Sequence, residues 1–310
     1  MPLNWQILKI LVLRFSSIGD IVLCSPVLRW LKNNYPEAEI HFLTKPQFAS
    51  LITPNPNVDT VWPLEGFSET LKKLKLERFD LIVDLHKNLR SLRFRTALNA
   101  KTNVSFKKLS LAKYLSVKTK NGSKLPNIHL VERYKKGLEK IGVTTDDLGL
   151  EYYGAIQPKA FSELPVAYNV LVAGAAHATK KLPDSLIQKI EKASELPLVI
   201  LGAPGDNKSI FDQIECINYC GKTSLQESAY VVQHAQNVYT SDTGLMHIAA
   251  AFNRNIHIFW GNTIPEFGMY PYQTSFTNHE VKGLNCRPCS KIGFKICPKG
   301  HFKCMEEQTL

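Results

Sequence analysis

The chain has 310 residues, 44% of them hydrophobic, and carries 38 lysines and arginines against 27 acids, a net charge of +11. That length and apolar content exclude a disordered or disulfide-stapled miniature and leave room for two domains of about 150 residues, each with its own core. No apolar run approaches the ~20 residues of a membrane-spanning helix, and the short run at 7–13 lacks the basic flank and cleavage site of a signal peptide, so a cytoplasmic protein is expected.

Residues 7–13 read as a buried first strand, Ser-Ser-Ile-Gly-Asp at 16–20 as a tight turn and 21–31 as the following helix. A carboxylate at such a junction stands at the carboxyl edge of a parallel sheet, where open α/β folds bind ligands. Asp20 therefore reads either as a helix cap or as a group placed for chemistry. Further strands are expected at 39–43, 60–62, 81–84 and 103–106, with helical stretches between them and a long helix at 130–141. The stretch 142–167, with Pro158 and Pro165, reads as a linker. Strands then restart near 169–173, 198–201, 239–240 and 256–259. Short apolar runs alternating with helices argue for parallel sheets with crossover helices, so the chain is α/β in two halves.

The charge is uneven. From Lys87 to Lys124 there is no acid, and the basic residues there, among them Lys87, Arg90 and Arg93, equal the whole excess. Leucines and phenylalanines interleave them. A local basic patch implies an anionic partner: nucleic acid, an anionic membrane surface, or a substrate carrying phosphates and carboxylates.

Near the end of the second half, residues 238–252 read Val-Tyr-Thr-Ser-Asp-Thr-Gly-Leu-Met-His-Ile-Ala-Ala-Ala-Phe. A strand that turns through Ser-Asp-Thr-Gly into an Ala-rich helix is an anion site. Gly244 lets a phosphate approach the backbone, and the free N–H groups of the new helix point at it. Asp242 or Thr243 can cap the helix, and His247, three residues after Gly244, faces the same ligand from the first turn.

Together the two ends of the chain resemble the glycosyltransferase family that contains the ADP-heptose:lipopolysaccharide heptosyltransferases. The residues that carry the resemblance are Arg-Phe-Ser-Ser-Ile-Gly-Asp-Ile-Val-Leu at 14–23, Thr-Lys-Lys-Leu-Pro at 179–183, Ser-Asp-Thr-Gly-Leu-Met-His-Ile-Ala-Ala-Ala at 241–251 and Cys-Pro-Lys-Gly-His-Phe-Lys-Cys-Met at 297–305. The resemblance implies the GT-B architecture, two Rossmann-like doubly wound domains facing a central cleft. It divides the chain into an acceptor domain (1–160) and a nucleotide-sugar donor domain (161–310), and implies an inverting transfer of heptose, with ADP-heptose as donor, to the lipopolysaccharide or lipooligosaccharide inner core. Asp20 matches the family's base, and closure of the cleft would exclude water from the activated sugar.

Lys180 matches the family lysine that stabilises the departing diphosphate with Thr243 and Gly244, while Asp242 and His247 would hold sugar or ribose hydroxyls. Leu182 stands where the family has Trp, and the adjacent Lys181 leaves open which lysine faces the phosphates. Gly-Ala-Pro-Gly-Asp at 202–206 resembles another loop that lines the nucleotide. The acceptor would meet Ser17, Gly19, Lys87, Arg90 and Arg93. A lysine and a helix N-terminus can do the electrostatic work of a divalent ion, so no metal is required, and a helper magnesium is compatible with the chemistry. The expected partners are a nucleotide-sugar donor, an anionic lipid-linked saccharide and the inner-membrane surface, with no nucleic acid.

Of seven cysteines, Cys286, Cys289, Cys297 and Cys304 cluster around His301. They read as a zinc set or as reduced thiols packing the C-terminal segment. Two rival readings remain. A nucleic-acid-binding protein with a Cys-rich tail explains the charge but not Asp20 or the 242–247 turn, and a nucleotide-sugar epimerase of the same architecture needs no membrane-facing basic surface. A nicotinamide dehydrogenase is disfavoured, because the first turn lacks the G-x-G-x-x-G spacing and places an acid where a pyrophosphate would sit.

Overall fold

The computed structural model describes residues 7–157 and 164–310. The chain forms two compact units, one comprising residues 1–108 and 130–154, the other 109–129 and 155–310. The expected division at 160 and 161, and Pro158 of the expected linker, lie outside the described residues.

The first unit is built on β1 (Lys9–Leu13), α1 (Ile18–Val22), α2 (Ser25–Asn34), β2 (Glu39–Thr44), β3 (Thr60–Pro63), α3 (Phe67–Glu77), β4 (Leu81–Asp84), α4 (Leu89–Leu98) and β5 (Thr102–Ser105). Its five strands pair in parallel in the order β3-β2-β1-β4-β5. β1 is the central strand, between β2 and β4, and Ile10–Leu13 and Leu81–Val83 are apolar and buried, as in a sheet interior. One core layer joins Leu11, Leu13, Leu43 and Ile82 to Leu74, Phe79 and Phe94.

The helix expected at 21–31 is two helices, and the first begins at Ile18, inside the expected turn. Pro26 causes the break. It has no N–H to give to the Val22 carbonyl, and the Ser25 hydroxyl takes that acceptor instead, at 2.8 Å.

The second unit begins with α5 (Ser110–Thr119). After it the chain returns to the first unit through α6 (Leu130–Leu138), a helix continued by a 3₁₀ turn to Ile141 as expected. The remainder runs β6 (Asn169–Val172), α7 (Asp184–Ala193), β7 (Leu198–Leu201), β8 (Cys216–Asn218), α8 (Leu225–His234), β9 (Asn237–Ser241), α9 (Gly244–Ala251), β10 (Asn255–Trp260), β11 (Phe276–Glu280) and α10 (Lys303–Glu306). Six parallel strands lie in the order β11-β10-β9-β6-β7-β8.

The edge strands β8 and β11 were not expected. Each carries polar residues and has one neighbour only, so neither shows the apolar run of a central strand. The acid-free stretch 87–124 is divided between the units rather than forming one element. Among the described residues no helix is long and apolar enough to cross a membrane.

Candidate functional site

Each sheet has one place where its strand order reverses, and there the crossovers diverge to opposite sides and leave a crevice at the carboxyl ends of the strands. In the first unit the reversal falls between β1 and β4, in the second between β6 and β9. The sequence-nominated residues gather at these two places.

In the first unit, β1 ends at Leu13 and delivers Arg14, of which 8% is exposed. Its guanidinium is held on every side: Nε donates to the Ser16 carbonyl at 2.9 Å, Nη1 to the Leu85 carbonyl and to the Tyr134 hydroxyl at 3.2 Å, and Nη2 pairs with Asp20 Oδ1 at 2.5 Å. The other Asp20 oxygen accepts from the Ser17 hydroxyl at 2.9 Å and the Ser17 N–H at 3.2 Å, closing the first turn of α1. Burial works against ionisation of Asp20, but the Arg14 charge and the Ser17 hydrogen bonds outweigh it and hold the carboxyl below its ordinary range. Asp20 is thus a fixed carboxylate at neutral pH. Gly19 is buried within α1.

Beside this pair lies a pocket of about 410 Å³ lined by Phe15, Ser16, Lys45, His86, Asn88, Leu89 and Arg90. Burial, reinforced by Arg14 and Lys108, pushes the His86 imidazole down to about 4, so it enters the pocket neutral. Asp84 shapes the loop that carries it, accepting from the His86 and Lys87 N–H groups at 3.1 and 2.7 Å and from the Ser91 hydroxyl at 2.8 Å.

Of the three basic residues nominated for the acceptor, Arg90 lines the pocket and lies 5.9 Å from the Phe15 ring. Lys87 turns away to give its ammonium to the Phe106 carbonyl at 2.6 Å, and Arg93 stacks 4.0 Å from the Phe67 ring. Arg14, Lys45 and His86 were not singled out from the sequence. Arg14 stands in the matching segment itself, and its signal is a cation at a strand end with a carboxylate on the next turn.

Arg14→Met removes the charge that depresses Asp20. If Asp20 is the base, the acidic limb of the kcat/KM pH profile for transfer moves to higher pH by about one unit or more. A limb that stays in place would mean that another group sets it.

In the second unit, β9 ends at Ser241 and Asp242 follows. Asp242 Oδ2 pairs with Lys180 Nζ at 2.6 Å and accepts from the Thr263 hydroxyl at 3.2 Å, and Lys180 Nζ also donates to the Asp242 carbonyl at 3.2 Å. Burial again opposes ionisation, and Lys180, with His247 and Thr263 in support, holds the Asp242 carboxyl below its ordinary range. Thr243 caps α9, its hydroxyl accepting from the Met246 N–H at 3.4 Å, and Gly244 is the first residue of that eight-residue helix. His247 is 2% exposed, within the first turn of α9.

The two adjacent lysines separate cleanly. Lys181 pairs with Asp206 at 2.5 Å, and Asp206 also accepts from the Ala203 N–H at 2.9 Å to close the 202–206 turn. A Cβ on Gly174 would stand 2.5 Å from that carboxylate, so the small turn after β6 is what lets the β6 and β7 loops meet. Asn262, 2% exposed after β10, has both side-chain polar atoms buried with no hydrogen-bond partner among the described residues.

Cys286 Sγ lies 3.9 Å from His301 Nε2, and the Cys289 thiol donates to the Cys286 carbonyl at 2.8 Å. Burial pushes Cys289 up to about 11 and Cys304 up to about 12. Cys304 packs in the core of its unit beside Met305. Among the described residues no group of three or more histidines, cysteines or acids is set to hold a metal ion.

Residues 68–296 match the model of glycosyltransferase family 9 (heptosyltransferase), and the chain belongs to that family. It is 24% identical over 306 residues to lipopolysaccharide heptosyltransferase 3 of Escherichia coli K12, covering 85% of this chain and 88% of the relative. Among solved structures, the family 9 glycosyltransferase of Veillonella parvula DSM 2008 superposes with a TM-score of 0.72 at 20% identity, over 90% of this chain and 86% of that one. The ADP-heptose lipopolysaccharide heptosyltransferase II of E. coli gives 0.70 at 19% identity, over 96% and 97%. The fold is GT-B, as the resemblance implied, and the protein is a glycosyltransferase.

Proposed function

We propose that the protein transfers a heptose, with inversion, from ADP-heptose to the inner core of lipopolysaccharide or lipooligosaccharide at the cytoplasmic face of the inner membrane. The observation that carries the reading is the second unit's switch point, where a half-buried cation, a capped helix N-terminus and an ionised carboxylate converge. That combination suits a nucleoside diphosphate sugar: α9 and Lys180 take the diphosphate, while Asp242 and His247 take hydroxyls. Lys180 has three N–H donors, and among the described residues the contacts with Asp242 use two, so the third can serve a phosphate oxygen.

The first unit takes the acceptor at the pocket lined by Arg90, beside Ser17 and Asp20, whereas Gly19, buried in α1, Lys87, held by the Phe106 carbonyl, and Arg93, stacked on Phe67, are not assigned to it. Asp20 accepts the proton of the acceptor hydroxyl as its oxygen bonds to the anomeric carbon, and the bond from that carbon to the diphosphate breaks, leaving its electrons on ADP. No metal is needed for these steps, and magnesium would act only as a helper on the diphosphate. The names of the two E. coli relatives, a lipopolysaccharide heptosyltransferase and an ADP-heptose heptosyltransferase, support the choice of donor and acceptor.

Calorimetric titration with ADP, UDP, GDP and a non-reactive ADP-heptose analogue tests the donor. Selective binding of ADP and the analogue is expected. Equal binding of all three nucleotides, or none, would overturn the assignment of ADP-heptose.

A further inference from the structure

Helix α5 is anchored on one side only. Its inner face, through Ala112 and Val117, packs on Leu125, Ile264 and Phe267, with Lys113 Nζ 5.3 Å from the Phe267 ring. This seating fixes which face turns outward. On that face Leu111, Tyr114 and Leu115 are 70%, 53% and 48% exposed, and their spacing of three and four residues makes them one stripe. Exposed Lys118 continues the stripe by a further turn, exposed Lys107 and Lys124 flank the helix in sequence, Lys120 gives its ammonium to the Pro288 carbonyl at 3.3 Å, and the segment contains no acid.

Single exposed leucines need no explanation, but three large apolar side chains aligned on one helix within an acid-free lysine field form a surface of definite chemistry. A second copy of the chain would oppose one lysine-flanked stripe to another, which like charge disfavours. An anionic bilayer accepts both components, with leucines in the acyl boundary, the tyrosine at headgroup level and ammonium groups on lipid phosphates.

We propose that α5 is a membrane-contact helix, lying in the surface of an anionic bilayer with Leu111, Tyr114 and Leu115 inserted. The inference rests on the membrane part of the proposed function and adds the element that makes the contact. It places that contact on the unit assigned to the donor.

The test is co-sedimentation of the full chain with vesicles of phosphatidylglycerol and phosphatidylethanolamine, against vesicles of phosphatidylcholine alone. The variants are Leu111→Ser/Leu115→Ser and, separately, Lys118→Glu. The wild type is expected to partition onto the anionic vesicles and not the neutral ones. The double serine variant is expected to lose about tenfold or more of that partition, and the glutamate variant to lose part of it, with a loss that added salt diminishes. Because the substituted side chains are exposed, melting temperature and ADP affinity stay at wild-type values. Equal partition of wild type and variants, binding to both vesicle types alike, or no binding would overturn the proposal. So would a concentration-dependent dimer that the double variant abolishes, since a second copy would then cover the stripe. Absence of ADP binding in the wild type would count against the donor reading while leaving the vesicle result in force.

Discussion

Asp20→Asn is expected to lower the rate of transfer by about a thousandfold, the range over which a positioned base acts, and to leave nucleotide affinity within a few-fold. The two effects separate because of where the residues lie. Asp20 belongs to the first unit, fixed by Arg14 and Ser17, whereas Lys180, Asp242, Thr243 and Gly244 belong to the second. Asparagine keeps the shape of the side chain and an oxygen for Ser17 or Arg14, but it cannot take a proton. The measurement is a transfer assay alongside calorimetry on the same preparation. Retention of full activity, or a parallel fall in nucleotide affinity, would remove Asp20 from the role of base.

The second large effect is expected at Lys180. Lys180→Ala leaves the half-buried Asp242 without its cation, which at neutral pH destabilises the fold by about 2 kcal/mol, since the carboxylate has lost its charge partner and not its desolvation penalty. It also removes a donor from the diphosphate, weakening ADP binding by about ten- to a hundredfold. The sign of the pH dependence distinguishes this account from general damage. In the wild type the folded Asp242 titrates below its unfolded value, so the pair's contribution is complete above the unfolded carboxyl range and is lost as the pH falls through the folded value. In the variant, burial is opposed only by the smaller effects of His247 and Thr263 and the carboxyl rises, so protonation restores stability and the deficit narrows as the pH falls. Denaturant melts at several pH values would show this. A deficit that does not change with pH would mean the lysine matters for some other reason. Adding Asp242→Asn should recover stability without recovering nucleotide affinity.

The parallel α/β pattern was legible because the central strands β1, β4 and β6 carry short apolar runs, whereas β9, Asn-Val-Tyr-Thr-Ser, showed only its middle at 239–240. β8 and β11, each with a single neighbour and polar side chains, carry no such signature. The site was legible where chemistry is written in adjacent residues, as in Asp242–Gly244, and obscure where it depends on a partner far along the chain. The Leu85 carbonyl and the Tyr134 hydroxyl that fix Arg14 are 71 and 120 residues away, and Thr263 lies 21 residues beyond Asp242. The same limit explains the basic segment. Its composition suggested one continuous patch, but Lys87 and Arg93 are drawn to local acceptors and rings, and the chain passes into the second unit at residue 109.

That crossing governs how the molecule can be taken apart. Residues 109–129 supply Leu125 beneath Ile264 and Phe267, and His129, which stacks on Tyr272 and bonds the Tyr270 carbonyl at 3.0 Å. A fragment beginning at 155 would therefore expose an apolar seat that the intact chain fills from earlier in its own sequence. No single scission releases a complete unit, and a chimaera that borrows the nucleotide half of a relative must bring residues 109–129 with it, which makes the gene a poor guide to the protein's exchangeable parts.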